Sequence, residues 1–237
     1  MGLIAVSGYA GSGKDTVGII IQYLLSKPGK PSIEEVIENH EENEWWLEES
    51  SGWEIRKFAG KLKDIASHIT GIDVEDFEDP KFKEKELGPE WSTIGYNKRY
   101  LVTDPTEDTI PVEITEVNNP MTVRELLQKL GTDAMRNGLH PNVWVNALFA
   151  DYVKDEDDLL PNWIITDCRF QNEAIAVKNK GGIIIRVERP GVKAVNDHPS
   201  ETALDDWNFD YKIVNISDLV SLMFTVENIL KHAKLLK

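Results

Sequence analysis

The stretch that decides the fold is Leu3-Ile4-Ala5-Val6-Ser7 followed by Gly8-Tyr9-Ala10-Gly11-Ser12-Gly13-Lys14. The first five residues are a short apolar run that reads as a buried strand. The next seven match G-x-x-x-x-G-K. Glycines there let successive backbone N–H groups point inward around a phosphate. Lys14 to Ser26 then reads as a helix, stopped by Lys27-Pro28-Gly29-Lys30-Pro31. The helix N-terminus adds the positive end of its dipole, and Lys14 adds a point charge for terminal phosphates. The strand before and the helix after are the context that a phosphate-binding turn requires. Ser or Thr is usual after the lysine, but Asp15 stands here, with Thr16 next. Asp15 reads either as a Mg²⁺ contact, direct or through water, or as a first-turn acid favoured by the helix dipole. Thr16 could hold an α-phosphate.

Outward from this opening, strands alternate with helices. Glu54–Phe58 reads as a strand, and the helix after it places Phe58, Leu62, Ile65, Ala66 and Ile69 on one face. Trp163–Asp167, Ile183–Glu188 and Tyr211–Asn215 read as further strands. A helix after Asp167 ends at Gly181-Gly182, and Ser217 is the expected cap of a last helix. Such alternation implies an α/β fold with a parallel sheet covered on both faces. Two stretches stand apart. Glu34–Glu54 has nine glutamates and no Lys or Arg, and reads as a solvated helix or loop in which Trp45, Trp46 and Trp53 must still pack. Residues 73–120 read as an insertion or flap. There, 99–103 and 109–114 resemble a hairpin around 104–108, and Pro111 limits it to an edge.

Three further patterns carry chemistry. Trp163-Ile-Ile-Thr-Asp167 is an apolar strand ending in an acid, as in a Walker-B element, where the acid can hold a metal-bound water or orient an acceptor. Arg169 follows near the carboxyl edge of the sheet, where α/β proteins bind ligands. It reads as a phosphate clamp, as an ion-pair partner of Glu173, or both. Thr122-Val123-Arg124-Glu125 is a capping box. The helix it opens runs to about Arg136, with Val123, Leu126, Leu127, Leu130 and Ala134 as its buried stripe. Arg124, Gln128, Thr132 and Arg136 recur every four residues, and form either a nucleotide-binding stripe or a solvated face. Gly131 costs that helix roughly 1 kcal/mol relative to Ala. Close approach of a ligand or backbone would explain it.

Together Gly8–Thr16, Phe58-Ala-Gly-Lys-Leu-Lys63, Leu127–Arg136, Thr166–Glu173 and His198-Pro-Ser-Glu201 resemble the phage-type deoxynucleoside monophosphate kinases. The resemblance spans roughly residues 2 to 230, and is poorest at 30–52 and 73–118. The Lys-Asp-Thr ending of the turn is itself typical of that family. The resemblance implies a three-layer P-loop kinase fold, one domain over 1–237, with insertions around 30–52 and 73–118. It also implies transfer of the γ-phosphoryl of ATP to a deoxynucleoside 5′-monophosphate with Mg²⁺. Gly11, Ser12, Gly13, Lys14, Asp15 and Thr16 would cradle ATP. Lys14, Asp167 and Arg169 would be catalytic, with Asp15 and Asp167 towards the metal. Lys63, Arg124, Gln128, Thr132, Arg136, Trp144, Glu173 and Glu201 would serve the acceptor. Arg189, in Arg189-Pro190-Gly191, reads either as a lid arginine over the donor or as part of a plain turn. Some family members carry basic residues at positions 10 and 11, where this chain has Ala and Gly.

Composition limits the alternatives. The chain has 237 residues, with 26 basic against 41 acidic side chains and a net charge of −15. Such a surface repels nucleic-acid polymers but allows a small anion in a local basic pocket. Cys168 is the one cysteine, so no intrachain disulfide forms. The start lacks the basic residues of a signal peptide, and no apolar run reaches the roughly 18 residues needed to span a bilayer. The expectation is a cytoplasmic protein (host cytoplasm if phage-encoded), compatible with a homodimer. The competing readings are another small-molecule kinase on this scaffold, acting for example on dephospho-coenzyme A or phosphomevalonate, and a nucleotide-binding switch.

Overall fold

The structure, a computed structural model, describes residues 2–29, 31–100, 112–194, 198–216 and 218–236, the side chains of 41, 95–100 and 112–116 excepted. The elements in chain order are β1 (Leu3–Ser7), α1 (Lys14–Leu25), α2 (Ile33–Glu38), α3 (His40–Ser51), β2 (Trp53–Arg56), α4 (Gly60–Thr70), β3 (Thr93–Tyr100), β4 (Val112–Asn119), α5 (Val123–Gln128), α6 (Val143–Phe149), β5 (Asn162–Ile165), α7 (Gln171–Asn179), β6 (Ile183–Glu188), α8 (Pro199–Thr202), β7 (Tyr211–Val214) and α9 (Leu219–His232). The chain forms two compact units. One is Met1–Lys61 with Asn142–Lys237; the other is Leu62–Pro141.

In the first unit, β2-β5-β1-β6-β7 form a five-stranded parallel sheet. β1 lies at its centre and is buried at every position, which is why its sequence is unbroken apolar up to Ser7. The β1-to-β2 and β5-to-β6 crossovers run in opposite directions across the sheet. Right-handed crossovers therefore put α1 and α7 on opposite faces. α1 packs with α3 and α9; α7 lies on β1 and β6 beside α6. Three layers result, as the alternation predicts. Ile4, Val6, Ile20, Ile21, Ile164, Ile185 and Val226 are fully or nearly fully buried in the main core.

The acidic stretch forms two helices. Ser32 caps α2 by accepting the Glu35 N–H at 3.2 Å, and Gly52 in the left-handed region ends α3. Leu47 and Trp53 are buried, but Trp45 is 66% exposed, so the expectation that all three tryptophans pack fails for this one. Positions 45 and 47 lie about 200° apart around a helix, so burying Leu47 turns Trp45 outward. Asp218 caps α9 by accepting the Ser221 N–H at 2.9 Å; the cap expected at Ser217 lies outside the described residues.

In the second unit, short 3₁₀ turns at 75–77, 82–84 and 89–91 lead into the antiparallel hairpin β3–β4. The strands pair from Thr93↔Asn119 to Tyr100↔Val112, longer than the sequence suggests. The connection, including 104–108 and Pro111, lies outside the described residues. The Thr122 capping box forms in both directions, at 3.2 and 3.0 Å. The helix it opens changes pitch: α5 continues through Lys129–Asn137 as π-helix. Each π residue turns through less than 100°, so the α-helical stripe drifts off the core. Ala134 is exposed where burial was expected, and Gly131 and Arg136 are buried. Ile69, in the last turn of α4 before Gly71 reverses the chain, is also exposed. Ala66, Phe77 and Val123 form the buried centre, with Leu127 and Leu130 packed against it.

Among the described residues, no helix is long and apolar enough to cross a membrane. Cys168 is fully buried. Burial, then the charges of Glu173 and Asp167, push its thiol well above the usual cysteine range. The native protein is expected to leave Cys168 unmodified by a thiol reagent at pH 8, with one equivalent reacting after denaturation. Rapid labelling of the native fold would contradict this burial.

Candidate active site

The phosphate-binding turn leaves the carboxyl end of β1. Gly11 and Gly13 have φ of 77° and 94°, in the left-handed region that β-carbon sterics disfavour. At Gly13 there is a second reason for glycine. A Cβ there would lie 2.6 Å from Asn215 Nδ2, which donates to the Ser12 carbonyl at 3.0 Å. The Ser12 N–H closes the turn on the Tyr9 carbonyl at 3.1 Å. Ser12 Oγ is buried and has no protein partner among the described residues. Lys14 opens α1 with its side chain 9% exposed and its Nζ 3.5 Å from Asp15 Oδ2. The Thr166 hydroxyl donates to the other Asp15 oxygen at 3.0 Å. Partial desolvation pushes the Asp15 carboxyl upward. The Lys14 and Lys57 charges and the Thr166 bond outweigh it and hold it below the usual carboxylate range. Asp15 therefore stays ionised, and its side chain is 57% exposed. Magnesium needs only one or two carboxylates beside phosphate oxygens and waters, so Asp15 fits that ion.

Asp167 sits beyond the end of β5, buried. Its two oxygens accept the N–H groups of Phe58 and Ala59 at 2.7 and 2.8 Å. It thereby ties the β2–α4 connection to the strand end that the sequence marks as Walker-B-like. Glu173 accepts the N–H groups of Arg169 and Phe170 at 2.8 and 3.0 Å, which caps α7. The expected i,i+4 contact between the Arg169 and Glu173 side chains is replaced by this capping. The Arg169 guanidinium instead reaches Glu201, on α8, at 2.5 Å, and the Glu201 side chain is 5% exposed. Trp144 is buried in α6. Arg189 is exposed and opens a tight turn, with Gly191 in the left-handed region and the Val192 N–H on its carbonyl at 3.0 Å.

One constellation escapes the motif reading. Arg186, on β6, is buried, and its guanidinium donates to Ser7 Oγ at 3.3 Å and to Asp205 at 3.0 Å. It lies over the Tyr9 ring at 4.7 Å, and the Tyr9 hydroxyl donates to the same Asp205 oxygen at 2.9 Å. The available signal was an arginine inside the apolar run Ile183-Ile-Ile-Arg-Val, where a charge must find a partner.

In the second unit, Lys63 is buried and paired with Glu78. Arg124 pairs with Glu84 at 2.6 Å, and buried Arg136 donates to the Pro141 carbonyl at 3.3 Å. Gln128 and Thr132 are half-buried. Arg124 and Gln128 lie on α5, Thr132 and Arg136 on its π continuation, so the fourfold spacing spans two pitches. At Gly131 the nearest neighbour is a side chain: a Cβ there would lie 2.8 Å from Leu62 Cδ2.

A parallel sheet ordered β2-β5-β1-β6-β7, with a glycine turn and lysine after the central strand, defines a phosphate-loop α/β protein of nucleotide-kinase type. The family model for deoxynucleotide monophosphate kinase matches residues 2–226. A protein of Acanthamoeba polyphaga mimivirus is 36% identical over 106 residues, covering 40% of this chain and 53% of its own length. The deoxynucleotide monophosphate kinase of Enterobacteria phage T4 is 31% identical over 118 residues, covering 50% of this chain and 49% of its own length. That of Escherichia phage RB69 is 27% identical over 250 residues, covering 98% and 100%. The matches thus span about half of the first two relatives and all of the third. This chain belongs to the deoxynucleotide monophosphate kinase family.

Asp167 holds two backbone donors, one on buried Phe58. Asp167→Ala should therefore cost about 2–4 kcal/mol of stability, because charge-assisted bonds are lost and a buried N–H is orphaned. Urea denaturation reads this directly. An unchanged midpoint would show that the two bonds do not hold the β2–α4 connection.

Proposed function

We propose that this protein transfers the γ-phosphoryl group of ATP to a deoxynucleoside 5′-monophosphate, giving the diphosphate. The observation that carries the reading is the preshaped turn at Gly8–Lys14 within a chain matched to the family over residues 2–226. A cytoplasmic location is part of the proposal.

Phosphoryl transfer leaves a protein little covalent chemistry to do. It must align two polyanions, spread the developing charge and exclude water. The N–H groups of Gly11 to Thr16 and the dipole of α1 cradle the donor phosphates, and Lys14 supplies the cation. Asp15 would hold Mg²⁺, which would supply neutralisation of phosphate charge. Asp167 is assigned to positioning: its oxygens hold the β2–α4 connection, which starts the segment leading to Lys63. Glu173 likewise fixes the backbone at Arg169. Arg169 is the group assigned to the transferring phosphoryl, with Glu201 holding its guanidinium at rest. Arg189 is assigned to the donor from an exposed turn. The acceptor assignment of Lys63, Arg124, Gln128, Thr132, Arg136 and Trp144 rests on the resemblance. Their types suit it, since arginine forks match phosphate oxygens and amides match base edges.

A screen of deoxy- and ribonucleoside monophosphates with ATP and Mg²⁺ tests the reading. Acceptor-dependent ADP formation supports it, and ATP turnover indifferent to every monophosphate overturns it. Lys14→Ala should abolish transfer and weaken ATP binding in a folded protein; near-normal turnover would remove Lys14 from the mechanism. Arg169→Lys keeps the charge but loses the fork. If Arg169 stabilises the transition state, its full contribution is roughly 10³–10⁵ in rate, about 4–7 kcal/mol. A purely structural role facing buried Glu201 needs only the positive charge, which lysine keeps. Arg169→Lys should therefore lose most of its turnover with ATP binding little changed. Retention of over about half the turnover would return Arg169 to a structural role. Asp15→Ser should stay active with a shifted Mg²⁺ optimum, and an unchanged metal titration would favour the helix-dipole role.

A further inference from the structure

We propose that Asp205, Tyr9 and Arg186 form a lock that presets the phosphate-binding turn, and that Asp205 is a positioning residue for ATP binding. The proposal rests on the reading of Gly8–Lys14 as the ATP site. Ser7 and Tyr9 flank Gly8, the residue at which the chain leaves the sheet, and one guanidinium engages both. Arg186 reaches the Ser7 hydroxyl at 3.3 Å and lies over the Tyr9 ring at 4.7 Å, with the Phe209 ring at 5.5 Å. Pairing of Ser7 with Arg186 in the β1–β6 register sets these two side by side. A single Asp205 oxygen then closes the triangle, accepting Arg186 Nη2 at 3.0 Å and the Tyr9 hydroxyl at 2.9 Å.

Asp205 is itself held firmly for an exposed residue. Its N–H bonds the Thr202 carbonyl at 3.0 Å, and the Trp207 N–H bonds that of Leu204 at 3.1 Å. The Leu204 side chain between them is almost fully buried. One turn earlier Glu201 holds Arg169, so one segment carries a tether to the phosphate turn and another to the arginine at the β5 edge.

The chemistry explains why such a lock is useful. A turn with glycines at 8, 11 and 13 has many unbound conformations, and a ligand that must order it binds more weakly. Fixing Tyr9 also fixes the carbonyl that receives the Ser12 N–H, so the turn is closed before the phosphates arrive. The buried Arg186 cation is neutralised by Asp205. It therefore acts on the turn through Tyr9 and Ser7 rather than as a phosphate ligand.

The test is calorimetric titration of ATP with Mg²⁺ into the full-length wild type, Tyr9→Phe, Asp205→Asn, Asp205→Ala and the Tyr9→Phe/Asp205→Ala double variant. Steady-state KM values for ATP and for the acceptor are measured alongside. Tyr9→Phe removes one hydroxyl and leaves the Arg186–Asp205 pair intact, so it remains informative if Asp205→Ala folds poorly. Tyr9→Phe and Asp205→Ala should each weaken ATP binding by about 5- to 10-fold, the scale of one lost hydrogen bond. The double variant should be no weaker than the worse single one, because both cut the same contact. Asp205→Asn, which keeps an acceptor for the Tyr9 hydroxyl, should recover part of the loss, and the acceptor KM should stay within about 2-fold. ATP affinity within about 2-fold of wild type in Tyr9→Phe overturns the lock, even if the melting temperature falls. So do multiplicative losses in the double variant. A wild type that binds no ATP overturns the ATP-site reading and the lock with it.

Discussion

The register of β1 between β5 and β6 is the constraint on which the rest of the first unit depends. Leu3 faces Trp163, Ala5 faces Ile165, and Ser7 faces Arg186. Because all three strands are parallel, their carboxyl ends fall on one edge. The β1 end releases the glycine turn, the β5 end brings Thr166, Asp167 and Arg169, and the β6 end brings Arg186. Chain connections leave β1 and β6 in opposite directions, the topological switch point at which open α/β sheets bind ligands. A one-residue slip would turn Arg186 to the other face and put an apolar residue beside Ser7. The burial of β1 on both sides makes such a slip costly, so core packing and site geometry are specified by the same residues.

Charge is organised locally against an acidic background. The chain carries −15 overall, and in each unit several cations are held by a carboxylate. Lys14 lies by Asp15, Arg169 by Glu201, Arg186 by Asp205, Lys63 by Glu78 and Arg124 by Glu84. Buried or half-buried cations need such partners before any anion binds. Asp205 keeps Arg186 in a structural role, whereas Arg169 is 29% exposed and its partner Glu201 is 5% exposed.

The phosphate turn, the five sheet strands and helices α1, α4 and α7 were legible because each rests on local signals: an apolar run, glycines at fixed offsets, caps. The Thr122 capping box was read and forms. What followed it was misread, because α and π pitch share one sequence pattern until packing selects between them. Ala134 therefore faces solvent, and Gly131 lies against Leu62. Asp167 was read as a chemical group from its place at a strand end, and Glu173 as an ion-pair partner of Arg169 and, by resemblance, as an acceptor-side residue. Their use as acceptors for backbone N–H groups depends on which strand end meets which turn, and no spacing encodes that. The Tyr9–Asp205–Arg186 triangle joins residues up to 196 positions apart. Only the oddity of an arginine in a buried strand hinted at it.

The account's central claim is that the preshaped turn serves transfer between nucleotides rather than hydrolysis. Phosphorus NMR of the protein mixed with ATP, Mg²⁺ and one deoxynucleoside monophosphate at a time tests this most directly. The account predicts that, for at least one base, deoxynucleoside diphosphate and ADP resonances grow together in equal amounts, with little inorganic phosphate. Inorganic phosphate rising with ADP while every monophosphate signal stays constant would contradict it.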